Sequence, residues 1–188
     1  MLDAPIARAM QSLGFGPFIK SHMWVRDLLT APGWFGFTVV VAIIVGLMHR
    51  QRVHAGLFVI CTTSVIAVNE IIKWAVGRIR PFKLDEAGER LAPFEFEPMR
   101  FYYVKNLCFT SGHTALAFAT ATALGMLWPR WRTLWYSVAS FVAIERVAEN
   151  AHWLSDVVAG AALGIGGAYA VAWLLRNKWK IGPQPSRL

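Results

Sequence analysis

The chain has 188 residues, enough for one domain, and its composition is 56% hydrophobic with only 16% charged residues. A soluble domain carries ~25% charged residues, so this composition argues against one. The net charge of +8 includes no basic run of five residues. It therefore argues against nucleic acid as a partner and suits loops that meet anionic lipid headgroups.

The N-terminal segment 17–30 mixes apolar and charged side chains at helical spacing. Ile19 and Met23 are four residues apart, as are Trp24 and Leu28, so each pair lies on one face of a helix. This pattern predicts an amphipathic helix that lies in the membrane interface.

Five apolar runs follow, and we interpret them as membrane-spanning helices. The longer runs reach the ~17–25 residues that a helix needs to cross a bilayer. Helices also satisfy their own backbone groups in lipid, and no alternating strand pattern competes with them. The five runs are residues 31–48, 55–76, 111–128, 134–148 and 155–175.

The predicted fold is an all-α, polytopic membrane helical bundle with about five spanning helices and an N-terminal interfacial helix. We expect a single domain, with an interfacial segment at 1–32, a transmembrane core at 33–176 and a tail at 177–188. In the last span, Gly160 and Gly164 allow close approach of a second helix, and we interpret them as packing residues.

Loop charges predict the orientation. With five spans, the turns at 49–54 and 129–133 and the C-terminal tail share one side, where cations occur without acidic residues. The positive-inside rule places that side in the cytoplasm and the protein in the cell membrane. The 77–110 loop then lies on the extracytoplasmic side. Apolar residues of this loop either admit a lipid phosphate sideways or form an ordinary interfacial belt. They are Phe94, Phe96, Met99, Phe101, Tyr102 and Tyr103.

Three polar clusters fall at predicted membrane boundaries: at the end of the second span, at the start of the third, and between the fourth and fifth. The five-span topology puts all three on the extracytoplasmic side. Ionisable residues at membrane depth indicate function. In chain order, the clusters are Lys73 with Arg80, then Ser111, Gly112 and His113, and then Arg146, His152 and Asp156.

These residue types suit a group with several negative oxygens. Arginine presents a planar fork that matches phosphate, and the free N–H groups at a helix start favour an anion. His152 and Asp156 are four residues apart, which places both on one helical face. A carboxylate bonded to Nδ1 would leave Nε2 of His152 free to attack. Single members have simpler explanations, such as a membrane anchor or a local ion pair of Glu70 with Lys73, but the complete set indicates a site.

The clusters resemble the signature of the type 2 phosphatidic acid phosphatase (PAP2) family: K-x6-RP, PSGH and SR-x5-H-x3-D. The resemblance covers about residues 55–175. Thr110 replaces the family proline and can cap the following helix. Glu145 replaces the family serine and either orients Arg146 or weakens the binding of a dianion. The matching stretches are Lys73-x6-Arg80-Pro81, Thr110-Ser111-Gly112-His113 and Glu145-Arg146-x5-His152-x3-Asp156.

The resemblance implies a lipid phosphatase that uses neither a metal nor a cofactor, with a lipid phosphate and the bilayer as its partners. It implies that His152 attacks phosphorus and forms a phosphohistidine, and that Asp156 orients it. His113 would protonate the leaving oxygen and then help to activate water. Cations would replace the electrostatic stabilisation that metals supply elsewhere. The phosphoryl oxygens would be held by Lys73, Arg80, Ser111, Gly112 and Arg146.

Several alternatives stay open. The same phosphohistidine could pass phosphate from a lipid diphosphate to a second lipid. A transporter or scaffold could bind phosphate without turnover, although binding alone does not require an oriented nucleophile. A metal site built from His113, His152 and Asp156 is a weaker alternative, because nearby cations oppose a metal ion. Phosphatidic acid, phosphatidylglycerol phosphate, a polyprenyl diphosphate and lipid A all fit as substrates, and the motifs make no prediction of oligomeric state.

Overall fold

A computed structural model describes residues 2–48, 52–82, 98 and 107–179 of the chain. Within these residues the regular elements are helices, and β pairing is limited to an isolated bridge between Ile79 and Leu107. The all-α prediction is therefore confirmed for the part of the chain that the structure describes.

The helices run in chain order from an N-terminal group of short helices to a bundle of longer ones. Two 3₁₀ turns, Ala31–Gly33 and Pro129–Trp131, precede α4 and α7. The helices are α1 (Asp3–Ser12), α2 (Phe15–Ser21), α3 (Met23–Thr30), α4 (Phe35–Met48), α5 (Arg52–Val76), α6 (Gly112–Leu127), α7 (Arg132–Ala148) and α8 (Leu154–Trp179).

The predicted amphipathic helix over 17–30 is wrong in its continuity, because the helix breaks at His22. The hydroxyl of Ser21 donates to the carbonyl oxygen of Phe18 at 2.8 Å, and Nδ1 of His22 lies 3.0 Å from the same oxygen. These side chains compete with the backbone for a helical acceptor. The segment is therefore two helices, α2 and α3, and its interfacial position stays a prediction.

The predicted first span over 31–48 is also interrupted. Pro32 and Gly33 belong to the 3₁₀ turn, and Trp34 has an extended backbone with φ of −92° and ψ of 142°. The helical stretches Met23–Gly33 and Phe35–Met48 consequently meet at 55°. A straight helix therefore begins only at Phe35.

Two helical stretches are long and apolar enough to cross a membrane, His54–Val76 in α5 and Leu154–Leu175 in α8. The bent pair that ends in α4 would make a third. Helices α6 and α7 have 16 and 17 residues, somewhat fewer than the ~20 that a typical span needs. Membrane-type helices are thus confirmed, whereas the number of five spans stays a prediction.

Helix α6 occupies the centre of the bundle and packs against α5, α7 and α8. The approach of α8 is close: a β-carbon on Gly160 would lie 2.7 Å from the carbonyl oxygen of Ser111. One on Gly164 would lie 2.9 Å from the backbone nitrogen of Ala119. Both contacts are shorter than van der Waals packing allows, which confirms the packing role predicted for the two glycines.

Candidate active site

Backbone hydrogen bonds join the three polar clusters at one end of the bundle. The N–H of Cys108 donates to the carbonyl oxygen of Arg78 at 2.9 Å, which ties the segment after α5 to the segment before α6. The N–H of Ser111 donates to the carbonyl oxygen of Asp156 at 3.1 Å, which ties α6 to α8. The structure thus brings the three clusters together, whereas their extracytoplasmic side stays a prediction.

A glycine separates the two cations of the first cluster. Gly77 has a φ of +67° and its N–H donates to the carbonyl oxygen of Lys73 at 2.9 Å, a conformation that favours glycine at a helix end. Lys73 thus lies in the last turn of α5, and Arg80 lies on the irregular segment beyond it. Nζ of Lys73 is 2.7 Å from a carboxylate oxygen of Glu70, so the local ion pair considered above is present.

His113 and Lys73 line the same cavity, which has a volume of about 300 Å³ and lies between α4, α5 and α6. The turn before α4 rests directly on His113, because a β-carbon on Gly33 would lie 2.8 Å from the carbonyl oxygen of His113. The interruption of the first predicted span therefore shapes this cavity. Its other polar or small lining residues include Asn69, Glu70 and Gly112.

The predicted capping role of Thr110 is wrong. Ser111 occupies the N-cap position of α6 and makes no side-chain capping bond. The hydroxyl of Thr110 instead donates to the side-chain oxygen of Asn69 at 2.5 Å. Because no capping side chain takes the N–H groups of the first turn of α6, they are available to an anion.

Arg146 is clamped by two carboxylates. Its Nε and Nη2 donate to Glu145 at 2.6 and 2.7 Å, and Nη2 also donates to Glu149 at 2.5 Å. Of the two roles considered for Glu145, the orientation of Arg146 is therefore the one that the structure displays. Glu149 was not singled out from the sequence, although it lies one helical turn after Arg146.

His152 is fixed differently from the expectation. Its Nδ1 lies 3.0 Å from the carbonyl oxygen of Cys108 but 3.6 Å from the nearer carboxylate oxygen of Asp156. The backbone carbonyl therefore accepts the Nδ1 proton and leaves the lone pair on Nε2. Burial lowers the pKa of His152 to about 4, although Asp156 opposes this effect, so the ring is neutral near pH 7.

Arg78 holds Asp156. Its guanidinium donates to the Asp156 carboxylate, which also accepts the backbone N–H of Trp153 at 3.0 Å. The same guanidinium lies over the Trp153 ring, 5.2 Å from its centroid. The sequence interpretation missed Arg78. Its only signal in the sequence is its position inside the six-residue interval between Lys73 and Arg80.

The charges of the three clusters act on one another. His113 interacts electrostatically with Arg146, Arg80 and Lys73, and also with the ring of His152. Nε of Arg80 is buried and has no hydrogen-bond partner among the described residues. The clusters thus form one cationic site with two histidines. The apolar residues predicted to meet the headgroup layer from the 82–106 loop lie outside the described residues.

Comparison with known proteins places this site in a family. The sequence pattern of the PAP2 superfamily matches residues 54–180. A lipid A 1-phosphatase of Rhizobium etli is 33% identical over 117 residues, which are 62% of this chain and 48% of that protein. Phosphatidylglycerophosphatase B of Escherichia coli is 26% identical in an alignment that covers 85% of this chain and 77% of that protein. The chain thus spans about half the length of the Rhizobium relative.

A solved structure shares the fold. The crystal structure of a transmembrane PAP2-type phosphatidylglycerolphosphate phosphatase from Bacillus subtilis aligns with a TM-score of 0.59 at 20% sequence identity. The alignment covers 97% of this chain and 94% of that one. The likeness therefore extends beyond the matched motifs to nearly the whole arrangement of helices.

Proposed function

The chain belongs to the PAP2 superfamily, and we propose that it is an integral membrane phosphatase that removes phosphate from a lipid through a phosphohistidine. The observation that carries this proposal is the state of His152. The ring is buried and neutral, its Nδ1 is bonded to a carbonyl, and its Nε2 keeps a lone pair beside several cations. A neutral, oriented imidazole is the form that attacks phosphorus.

In the proposed reaction, Nε2 of His152 forms a bond to phosphorus while the bond from phosphorus to the lipid oxygen breaks. His113 gives its proton to that departing oxygen. His113 then takes a proton from water, whose oxygen attacks phosphorus and breaks the bond to His152. Inorganic phosphate leaves, and both histidines return to their starting states.

The remaining site residues hold the phosphoryl oxygens in this proposal. Charge stabilisation is the main demand of phosphoryl transfer, and the cations here supply it without a metal ion. The unpartnered Nε of Arg80 and the uncapped first turn of α6 support this role. Asp156 supports His152 from the neighbouring turn. The oxygen-binding set is Lys73, Arg80, Ser111, Gly112 and Arg146.

The substrate proposed is a lipid phosphomonoester or a lipid diphosphate. The names of the relatives in Rhizobium etli and Escherichia coli describe phosphatases of lipid A and of phosphatidylglycerophosphate. We propose that α4 to α8 cross the cell membrane, that 1–32 lies at its interface, and that the site faces the extracytoplasmic side. The whole chain then forms one domain.

The test is phosphate release from purified protein in detergent with EDTA present. The substrates are phosphatidic acid, phosphatidylglycerol phosphate, a polyprenyl diphosphate and lipid A, and we expect turnover of at least one. His152→Gln, purified identically, should release none. Activity that disappears with EDTA and returns with a divalent cation would contradict the metal-free mechanism, and an inert wild-type protein would contradict the function.

A further inference from the structure

A buried row of charges connects the N-terminal helix α1 to α8. Nη2 of Arg78 donates to a carboxylate oxygen of Asp3 at 2.7 Å, and Nη1 donates to the carboxylate of Asp156. The side chains of Arg78, Asp3 and Asp156 expose 2%, 5% and 0% of their surfaces. Ser155 adds two bonds to Asp3, from its N–H at 2.9 Å and from its hydroxyl at 2.5 Å.

Asp3 is held as an ionised group. Burial raises the pKa of Asp3, but hydrogen bonds from Ser155 and Arg78 outweigh it and keep the pKa below its usual value. Removing an ion from water costs several kcal/mol, so a buried charge persists when its partners are well placed. The contact of α1 with Arg78 is thus a specific ionic bond, unlike the half-exposed pair that Arg26 forms with Asp27.

Arg78 bonds to both residues that supply an acceptor beside Nδ1 of His152, namely Asp156 and Cys108. Its side chain fixes Asp156, whose carboxylate is 3.6 Å from Nδ1 of His152. Its carbonyl oxygen accepts the N–H of Cys108, and the carbonyl of Cys108 in turn bonds Nδ1. Both acceptors beside Nδ1 are therefore positioned by one arginine.

Helix α1 also packs against this support. Ala7, one turn after Asp3, is buried against Cys108 and Trp153. Trp153 directly follows His152 in the chain. The carbonyl oxygen of Cys108 lies within hydrogen-bond distance of Nδ1 of His152. The N-terminal helix thus contacts the residues around the nucleophile through both an ion pair and an apolar patch, although it contributes no group to the phosphate site.

We propose that α1 is a positioning element of the active site and that Asp3 and Arg78 are its positioning residues. They act on the orientation of His152 and do not touch the substrate. This inference rests on the proposed function, because it concerns how the nucleophile of that reaction is held. A rigid support matters because a misplacement of ~1 Å can cost about a hundredfold in rate.

The first experiment compares Asp3→Asn with Asp27→Asn in the full-length protein, using the lipid phosphate that the wild type hydrolyses best. Asp3→Asn keeps size and hydrogen-bonding groups but removes the charge. We expect kcat to fall roughly tenfold with KM within about twofold, because orientation and not binding is lost. Asp27→Asn removes an exposed partner of Arg26 and should retain wild-type kcat.

The second experiment follows the ring signals of His152 in histidine-labelled protein by NMR during a pH titration. Arg78→Gln should let the Asp156 carboxylate accept a bond from Nδ1 and raise the pKa of His152, whereas Arg78→Lys should keep it close to the wild-type value. The other groups that act on His152, Arg80, Arg146 and His113, are unchanged in both variants.

Each outcome decides a separate point. An Asp3→Asn protein with wild-type kcat, or one whose lost activity is matched by an equal loss of folded protein, would overturn the positioning role. If Arg78→Gln fails to fold, the kinetics of Asp3→Asn with its folded fraction still decide it. A wild-type protein that hydrolyses no lipid phosphate would instead overturn the proposed function, while a shifted His152 titration in Arg78→Gln would still support the link.

Discussion

The two histidines have different surroundings, and this difference supports the roles proposed for them. His152 is 2% exposed and bonded through Nδ1 to a backbone carbonyl. His113 lines a cavity of about 300 Å³ together with Lys73. A fixed, neutral ring suits a nucleophile, whereas a ring beside open volume suits a group that exchanges protons with a leaving oxygen and with water.

The roles can be separated by the choice of leaving group. His152→Ala should reduce single-turnover release by more than about 10⁴-fold for every substrate, since no covalent intermediate can form. His113→Ala should cost about 10²–10⁴-fold for a lipid monophosphate, whose departing alkoxide needs a proton. The loss should be smaller for nitrophenyl phosphate, whose leaving group is stable as an anion. An equal loss for both substrates would remove His113 as the acid.

The pKa of His152 provides a second prediction. Burial holds it near 4, below the value of 6.5 for an exposed ring. Above pH 4 the folded protein therefore keeps the ring neutral, whereas an unfolded chain takes up a proton below pH 6.5, so His152 destabilises the fold as the pH falls through this window. NMR titration of ring nitrogens, with His152→Gln for assignment, should give a midpoint well below 6.5. A midpoint near 6.5 would mean that water reaches the ring.

The sequence predicted which candidate residues come together but not the groups that hold them. Spacing alone singled out His152 and Asp156, because a four-residue interval places them on one face. It did not predict that the carbonyl oxygen of Cys108 would accept the Nδ1 proton of His152. A backbone acceptor 44 positions away cannot be recognised from residue types. The pairing of Arg78 with Asp3 was not predicted either, because nothing in the sequence links two side chains 75 positions apart.

At the scale of helices, the contact between α6 and α8 sets the distance between Ser111, proposed to bind phosphate, and Asp156, proposed to support the nucleophile. Gly160 and Gly164 admit the backbone of α6 at distances that a side chain would block. The start of α6 carries Ser111, and α8 carries Asp156, so a change in helix separation becomes a change in the site. We therefore expect the packing of these two helices to affect the proposed activity as well as stability.

Gly164→Ala tests this coupling. The added methyl group should collide with the α6 backbone and destabilise the fold by roughly 1–3 kcal/mol, the usual cost of overpacking. Gly166→Ala is a matched control in the same helix, because a β-carbon there meets nothing within 4 Å. Thermal unfolding in detergent should separate the two variants. If both unfold at the wild-type temperature, the close approach of α6 and α8 is not tight enough to matter.

The sequence predicted helix boundaries where the composition changes sharply. It did not predict them where local hydrogen bonds or a proline interrupt an apolar segment. The predicted span 55–76 matches α5 apart from an extra turn at its start, and 155–175 matches most of α8. The break at His22 depends on side chains that compete for one carbonyl oxygen. The spacing of apolar residues does not predict such a break. Before α4, hydropathy did not reveal the bend at Pro32 because the sequence stays apolar across it.

For the whole molecule, the open question of sidedness has a direct test. The site lies at the end of the bundle where α5 finishes and α6 begins, opposite the turn that holds Arg130 and Arg132. Ala87→Cys, in the predicted extracytoplasmic loop 77–110, should react with an impermeant thiol reagent in spheroplasts. Thr133→Cys, in the first turn of α7 at the opposite end of the bundle, should react only after lysis. Cys61 and Cys108 are buried, and the wild-type protein measures their background.

The reverse pattern, with Thr133→Cys labelled in spheroplasts and Ala87→Cys protected, would invert the predicted orientation. Labelling of both positions before lysis would mean that the reagent had crossed the membrane. The positive-inside rule counts cations near the spans, so it fixes which side a loop occupies but not which reaction occurs there.

The hydrogen bond from Ser111 to Asp156 has a consequence for biogenesis. It joins residues 45 positions apart, and the helix that supplies Asp156 is the last described one to leave the ribosome. Long-range contacts of this kind form late in folding. While α8 is still being synthesised, the nascent chain already carries His152 but lacks the packing of α8 against α6 that places Asp156 beside it. The proposed activity is therefore expected only once α8 has packed against α6.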